Sequence, residues 1–464
     1  MDTRKSAIYA AVNEMRRRRA GAEKTLTDAV SLDEYRVLVR SADEGEIWTD
    51  ALQRALDEHE IVRIPAREEA YYIDRTVTVP SNRRIEAEGA AVRLTRDCTV
   101  LMLRNAHTKD GTHAPVDTSD ADKNITVRGG RWEEGNTARA GYGRTGKYDA
   151  ERSFYGVSTL FLFNNIRGLT LENLTFYHTA GFSVQTGDLS DGVFDHIRFE
   201  ACFADGLHLN GRSENLYIHD IRGEVGDDLV ALNMYDWQNS SVNFGPTYNV
   251  VCEDMELAKT SHYRALRIEP GMYAYDDGSK VDCGLFGAVF RNIRGISTYK
   301  LYYQTPAYPI SGAPEPGDVG SADDLYFEDL VIDLSAPIDG FDEYLHGDPV
   351  RGAFGAFELG SNIGHITFRN IDLIRYDKRF PNSHLVVCGP KSVRCGDVEV
   401  FDPYLSSTVD SIIFRDIRVN GYPAEDIHTL LRVTAFEDIN QDGRSTAAGT
   451  VRHIVWDDVV CHVR

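Results

Sequence analysis

One short phrase recurs along this chain. It is a hydrophobic residue, a polar residue, then Asn or Asp, then Ile, Leu, Val or Met. It reads Leu171-Glu-Asn173-Leu174, Ile218-His-Asp220-Ile221, Cys252-Glu-Asp254-Met255, Phe290-Arg-Asn292-Ile293, Phe327-Glu-Asp329-Leu330, Phe368-Arg-Asn370-Ile371, Phe414-Arg-Asp416-Ile417 and Trp456-Asp-Asp458-Val459. Phe194-Asp-His196-Ile197 fits with His in the polar slot. The slots step by 23 and 24 residues and then by 34, 38, 37, 41, 46 and 42. A fixed phrase on a variable period marks a repeat architecture whose units differ by inserted loops. A step of 23 or 24 residues is too short for a strand, a crossover helix and a second strand, and it fits one coil of three short strands. Propeller blades of about 40 residues would match the later steps but not the two short ones. The pattern therefore predicts an all-β fold, a right-handed parallel β-helix built as a single-chain solenoid.

The shortest coils carry an acidic cluster. Within Phe203 to Asn233 the phrase Asp-Gly-Leu-His-Leu-Asn starts at Asp205, and Asp-Asp-Leu-Val-Ala-Leu-Asn starts at Asp227. One coil apart, Asp205 is expected beneath Asp227 and Asp228, at a rung spacing of about 4.8 Å. Hydrolysis of a glycosidic bond needs one carboxylic acid to protonate the leaving oxygen and another carboxylate to activate water or attack the sugar. Carboxylates this close raise at least one pKa, as a general acid working near neutral pH requires. Asp-Asp pairs also stand at 276–277, 323–324 and 457–458, and Asp is common in turns because its side chain satisfies backbone N–H groups. What sets Asp227 and Asp228 apart is Asp205 in the matching phrase one coil earlier, with Gly206 and Gly226 beside the acids.

Around this cluster the sequence offers substrate-binding candidates. His178 and Gln185 fall one coil before Asp205, and His208 alternates with Leu207 and Leu209, so it faces away from them. Aromatic rings pack on the apolar faces of sugars, which points to Phe182, Tyr235, Trp237, Tyr263, Tyr302 and Tyr303. His262, Arg264, Arg267, Glu269 and Gln304 complete the set. The long insertions Met272 to Gly284, Thr305 to Ser321 and Ile338 to Gly352 are expected to wall a cleft above the acids.

Residues 1–47 read as an N-terminal helical segment and 48–464 as the coil domain. Ala7, Ile8, Ala11, Val12 and Met15 recur at helical spacing ahead of Arg16 to Arg19, which read as a solvated helix end. A second helix is expected near 32–40 behind Ser31 as N-cap. Thr49 is expected to cap a helix running to Glu58, followed by short strands at Ile61–Ile64, Tyr71–Ile73, Val77–Val79, Ile85 and Val92–Leu94. This stretch resembles the entry module of pectin-lyase-like β-helix proteins, in which a short helix closes the first coil.

The acidic phrases carry a second resemblance, to glycoside hydrolase family 28, the polygalacturonase-like inverting hydrolases. That family shows Asn-Thr-Asp-Gly, then Gly-Asp-Asp one coil later, then Gly-His-Gly, then Arg-Ile-Lys. Ala204-Asp205-Gly206 stands at the first phrase and Gly226-Asp227-Asp228 at the second. The resemblance implies that Asp227 is the general acid and that Asp205 and Asp228 hold the attacking water. At the third phrase Arg264 takes the histidine slot, and at the fourth Tyr302 and Gln304 replace the Arg and Lys that bind a galacturonate carboxylate in the family. These departures point away from ordinary polygalacturonase activity, toward a neutral sugar or an acidic one held by Arg264 or Arg267. Two rival readings share the fold: a calcium-dependent polysaccharide lyase with Arg264 or Lys259 as base, and a non-catalytic carbohydrate-binding β-helix.

Composition narrows the partners. The 464 residues carry a formal net charge of −22, which repels phosphate backbones and argues against nucleic acid. No run of about 18 apolar residues is present, so no membrane span is expected. The N-terminus lacks the apolar core of a secretory signal, and the seven cysteines read mainly as buried thiols, with Cys388 and Cys395 the one pair placed to bridge. Both features favour a cytoplasmic location. Asp438 to Gly449 starts like a calcium loop but ends in Gly instead of Glu, so it reads as an Asp-rich turn. No cofactor is expected, the partner is an oligosaccharide or polysaccharide, and the sequence leaves the oligomeric state open.

Overall fold

The computed structural model describes residues 2–21, 28–96, 98, 101–108, 120–134, 153–154, 157–236, 241–261, 264–275, 277–295, 299–301, 319–334, 354–375, 383–389, 393–395, 398–400, 406–433 and 449–461. It is a right-handed parallel β-helix. Strands one coil apart pair in parallel and in register. Leu171, Phe194, Ile218, Cys252, Phe290, Phe327, Phe368, Phe414 and Trp456 form one unbroken column of ladder partners. These are the first residues of the recurring phrase. They point into the coil, and Phe290, Phe327, Phe368 and Phe414 stack ring on ring with centroids 4.8–5.5 Å apart.

The polar slot of the phrase has an equally definite cause. Asn173, His196, Asp220, Asp254, Asn292, Asp329, Asn370, Asp416 and Asp458 all hold φ between 51° and 63°. The chain turns a corner there in the left-handed conformation that Asn, Asp and His tolerate better than other residues with a Cβ. A second left-handed corner, not visible as a phrase, lies five residues earlier at Asp191, Asn215, Asn249, Gly287 and Asp324. Side chains in the columns bond along the axis: Asn370 Nδ2 donates to Asp329 Oδ1 at 2.7 Å, and Asn215 Nδ2 to Asp191 Oδ1 at 3.0 Å. Asn370 Oδ1 also accepts from Arg418 at 2.8 Å. Asn370→Ala is therefore expected to cost about 1–2 kcal/mol in urea unfolding, from left-handed strain and lost bonds. Asn370→Gly, which relieves the strain but not the lost bonds, should cost less than Ala.

The first coil is closed as expected. Helix α2 (Thr49–Glu58) buries Ala51, Leu52, Ala55 and Leu56 against the opening strands, beside Trp48, whose ring meets Tyr71 edge-on at 5.0 Å. Its N-cap is Trp48, and the Thr49 hydroxyl donates instead to Asp74 at 2.7 Å, tying the helix to the next strand. The second expected helix is a 3-10 helix, Leu32–Leu38, with a complete capping box between Ser31 and Glu34. The strand Val30–Ser31 before it pairs with Ile61–Arg63 of the first coil.

Helix α1 (Thr3–Gly21) lies across the outer face of the solenoid. Ile8, Val12 and Met15 are buried on Tyr217, Val251, Val289 and Tyr326, one residue from each of four successive coils. Arg16, Arg17 and Arg18 at its end are exposed, as expected of a solvated helix end, and the end is also tethered to the coils. Arg16 sits 3.7 Å over the Tyr217 ring, Arg18 pairs with Asp191 at 2.9 Å, and Arg19 donates to Asn124 and Thr170. Among the described residues no helix is long and apolar enough to cross a membrane, which says nothing about strands. Cys202, Cys252 and Cys283 are buried free thiols, and the side chain of Cys395 lies outside the described residues, as does the Asp-rich turn after Asp438.

Candidate active site

The two acidic phrases stand on neighbouring coils. Leu207–Asn210 pairs with Val230–Asn233, Leu207 opposite Val230, which sets Asp205 opposite Asp228 two residues earlier. The connecting bonds continue through the acids: Ser183 N donates to the Asp205 carbonyl and Gly206 N to the Asp228 carbonyl, both at 3.0 Å. Two glycines make this approach possible. A Cβ on Gly206 would lie 2.7 Å from the Leu229 carbonyl oxygen, and one on Gly226 would lie 2.4 Å from that of Phe203. Asp205, Asp227 and Asp228 each contribute a carboxylate oxygen to a group lying within 4.8 Å of one another.

Three carboxylates so close cannot share one environment, and their partners differ. Asp205 is buried, with Oδ1 accepting from the Asp228 N–H at 3.0 Å and Oδ2 2.6 Å from His208 Nδ1. Asp228 is fully buried and receives Arg264 Nη1 at 2.7 Å, with Arg267 3.7 Å away. Asp227 alone keeps part of its side chain open to solvent, though it lies deep among packed atoms. Desolvation, and then the charges of Asp205 and Asp228, push its carboxyl up to about 8. At neutral pH it carries a proton.

His208 is the hinge of this arrangement. Its outward-facing ring is buried under Phe182, stacked at 3.9 Å, and lies between Asp205 and Asp236, whose Oδ2 is 3.3 Å from Nε2. Burial pulls the imidazole down, but the bonds to Asp205 and Asp236 outweigh it and raise it to about 9. It is an imidazolium at neutral pH and balances Asp205. Asp236 is a site residue that the sequence reading did not single out; it reaches the cluster around the turn after Asn233, whose Nδ2 donates to it at 3.1 Å. Beneath, Gln185 Nε2 donates to Asn210 Oδ1 at 3.0 Å, and Asn210 Nδ2 to the Asn233 carbonyl at 3.2 Å.

Both arginines are drawn into the acidic cluster. Arg264 is held by Asp228, and Arg267, next to Ala231 and His208 along the ladder, bonds fully buried Glu269 and approaches Asp236 at 3.9 Å. Burial opposes the charge on Arg267, but Glu269 and the surrounding acids hold it on. The Arg264 guanidinium, which the lyase reading would make a base, is engaged by Asp228. Lys259, the other base candidate, is exposed.

The remaining candidates divide. His178 sits at a left-handed turn, stacked on Tyr177 at 4.0 Å and edge-on to Phe203 at 6.1 Å. Phe203, 47 % exposed beside Gly226, is an aromatic face next to Asp227 that was not among the expected ones. Tyr235 is buried, in an aromatic stack with Phe244 and Tyr273. Tyr273 belongs to a hairpin, Gly271–Ala274 with Lys280–Cys283, that forms most of the first long insertion. Trp237, His262, Tyr263, Tyr302, Tyr303 and Gln304 lie outside the described residues, as do most of the other two insertions.

No protein-family model matches the chain, and no curated protein does. Solved structures do. The endo-xylogalacturonan hydrolase from Aspergillus tubingensis is 13 % identical with a TM-score of 0.52, over 91 % of this chain and 100 % of that one. A hyperthermoactive exopolygalacturonase from Thermotoga maritima is 10 % identical with a TM-score of 0.51, over 97 % of both chains. The chain shares the parallel β-helix fold of these structures. At these identities the likeness is one of architecture, and the chemistry rests on the acids.

Proposed function

We propose that this β-helix protein is a glycoside hydrolase in which Asp227 protonates the leaving oxygen and Asp205 and Asp228 hold the attacking water. The observation that carries this reading is the split within the trio. One carboxyl, that of Asp227, is pushed up to about 8 by desolvation and its neighbours, while Asp205 and Asp228 are each held by a cation. Different environments for adjacent carboxyls are how one site keeps an acid and a base at the same pH. The fold shared with an exopolygalacturonase and an endo-xylogalacturonan hydrolase, and the family-28-like phrases at Asp205 and Asp227–Asp228, support the same class.

The substrate is read as a neutral glycan. Arg264 and Arg267 are the described cations nearest the acids besides His208, and both are engaged by Asp228 and Glu269. Against these three cations stand Asp205, Asp228, Asp236 and Glu269, so a uronate carboxylate would meet a field of its own sign. The stereochemistry has two versions. Oxygens within 4.8 Å are closer than the roughly 6.5–9.5 Å of an inverting pair and nearer the about 5–5.5 Å of a retaining one. Inversion is favoured here because both potential nucleophiles, Asp205 and Asp228, have their charge drawn off by His208 and Arg264, which suits them to orient water and weakens them as attackers.

Digestion of a panel of neutral oligosaccharides, uronate oligosaccharides and their carboxyl-reduced counterparts tests this. Neutral or carboxyl-reduced chains should be cut at least about tenfold faster than uronates. The first product anomer seen by NMR should be inverted. Preference for the unreduced uronates would refute the neutral-glycan reading, and a retained anomer would assign attack to Asp205 or Asp228.

A further inference from the structure

A second polar cluster lies on another ladder of the coil, where Asp195 pairs in register with His219. Asp195 Oδ1 is 2.7 Å from Nδ1 of His219 and 2.7 Å from Nδ1 of His196. The far nitrogens of both rings face other carboxylates. His219 Nε2 is 3.1 Å from Asp254 Oδ2, and His196 Nε2 is 3.6 Å from Asp220 Oδ2. Asp254 and Asp220 are themselves fixed, by Asn292 and by Arg198 and Arg222.

A neutral imidazole has one N–H. With that hydrogen on Nε2, two ring lone pairs and a carboxylate oxygen converge on one point. At His219 the outer Asp254 carboxylate can take the far N–H, the arrangement that orients histidines bound to a metal, while Asp220 lies just beyond hydrogen-bond reach of His196. Two imidazoles and one carboxylate suit a divalent transition ion of the zinc class better than a hard oxygen-seeking one. The His196 side chain is 48 % exposed and that of His219 25 %, so both rings can be reached from solvent. The sequence departs from its own pattern here as well. His196 is the single histidine in a column of corners otherwise filled by Asn and Asp.

We propose that Asp195, His196 and His219 bind a divalent ion of the zinc class, pinning two neighbouring coils together. Neither of the other two groupings with metal-site spacing among the described residues matches it. Asp323, Asp324 and His365 offer one imidazole, and the Asp205, Asp227 and Asp228 group already holds Arg264. The test is equilibrium dialysis of the full chain against Zn²⁺, with bound metal measured by mass spectrometry, for the wild type, His196→Asn and His219→Gln. Asn is the residue that other coils carry at this corner, so His196→Asn leaves the backbone at ease. Wild type should retain about one more zinc per chain than either variant, and the Co²⁺-loaded wild type alone should show the visible d–d bands of a site with nitrogen ligands. Equal zinc in all three proteins would overturn the proposal, assigning the rings to imidazolium–carboxylate pairs.

Discussion

Asp227→Asn is expected to lower glycan hydrolysis by roughly 10²–10⁴-fold while making the fold more stable at neutral and alkaline pH. The two effects share one cause. Asp227 sits in a desolvated site beside Asp205 and Asp228, and its raised pKa keeps a proton available for the leaving oxygen. Asn keeps the shape but has no acidic proton to give. For stability, a folded-state pKa raised from 3.8 to about 8 gives a contribution that is fully present below about pH 4 and is lost as the pH rises through about 8. Within that window the loss approaches about 1.4 kcal/mol per pH unit from this group alone. Asn does not titrate, so the variant should lack this slope, and urea titrations between pH 5 and 9 will show the gap widen in its favour. Activity of the wild type should fall as the pH passes about 8, for want of protonated Asp227. Loss of the His208 proton near 9 should steepen the decline, because Asp205 then loses its balancing charge.

Arg264→Leu is expected to destabilise the protein by about 3–5 kcal/mol. Asp228 is fully buried, and Arg264 is its near partner at 2.7 Å, with Arg267 a full ångström more distant. Removing the guanidinium leaves a buried carboxylate with inadequate compensation, which is far more costly than losing a surface pair. The double variant Arg264→Leu with Asp228→Asn removes both charges and should recover most of the loss. Unfolding of the four proteins forms a cycle that isolates the pair. If Arg264→Leu alone cost less than about 1 kcal/mol, the electrostatic account of the trio would fail, because Asp228 would then need no cation.

Much of this was legible in the chain. The recurring Asn or Asp is a steric requirement, since every one of those slots turns out to be a left-handed corner. The same physics hides the other corner, because Asp191, Asn215, Asn249, Gly287 and Asp324 meet it without a shared hydrophobic frame around them. Asp205 could be matched to Asp227–Asp228 because ladder pairing preserves sequence register. Asp236 could not, because it reaches His208 around a turn and not along a ladder. Helix α1 showed its apolar stripe of Ile8, Val12 and Met15, but nothing local announced that four coils far along the chain supply the surface beneath it. Phe203 was passed over because nothing local shows that its backbone packs against Gly226 of the next coil, 23 residues on.

The most direct test of the central claim is digestion of a glycan substrate in H₂¹⁸O by wild type and Asp227→Asn side by side, read by mass spectrometry and ultraviolet absorbance. Products from the wild type should each gain one water, with a single ¹⁸O at the new reducing end, and should be absent or strongly reduced with the variant. Products of eliminated mass that absorb in the ultraviolet, or equal hydrolysis by both proteins, would contradict the account.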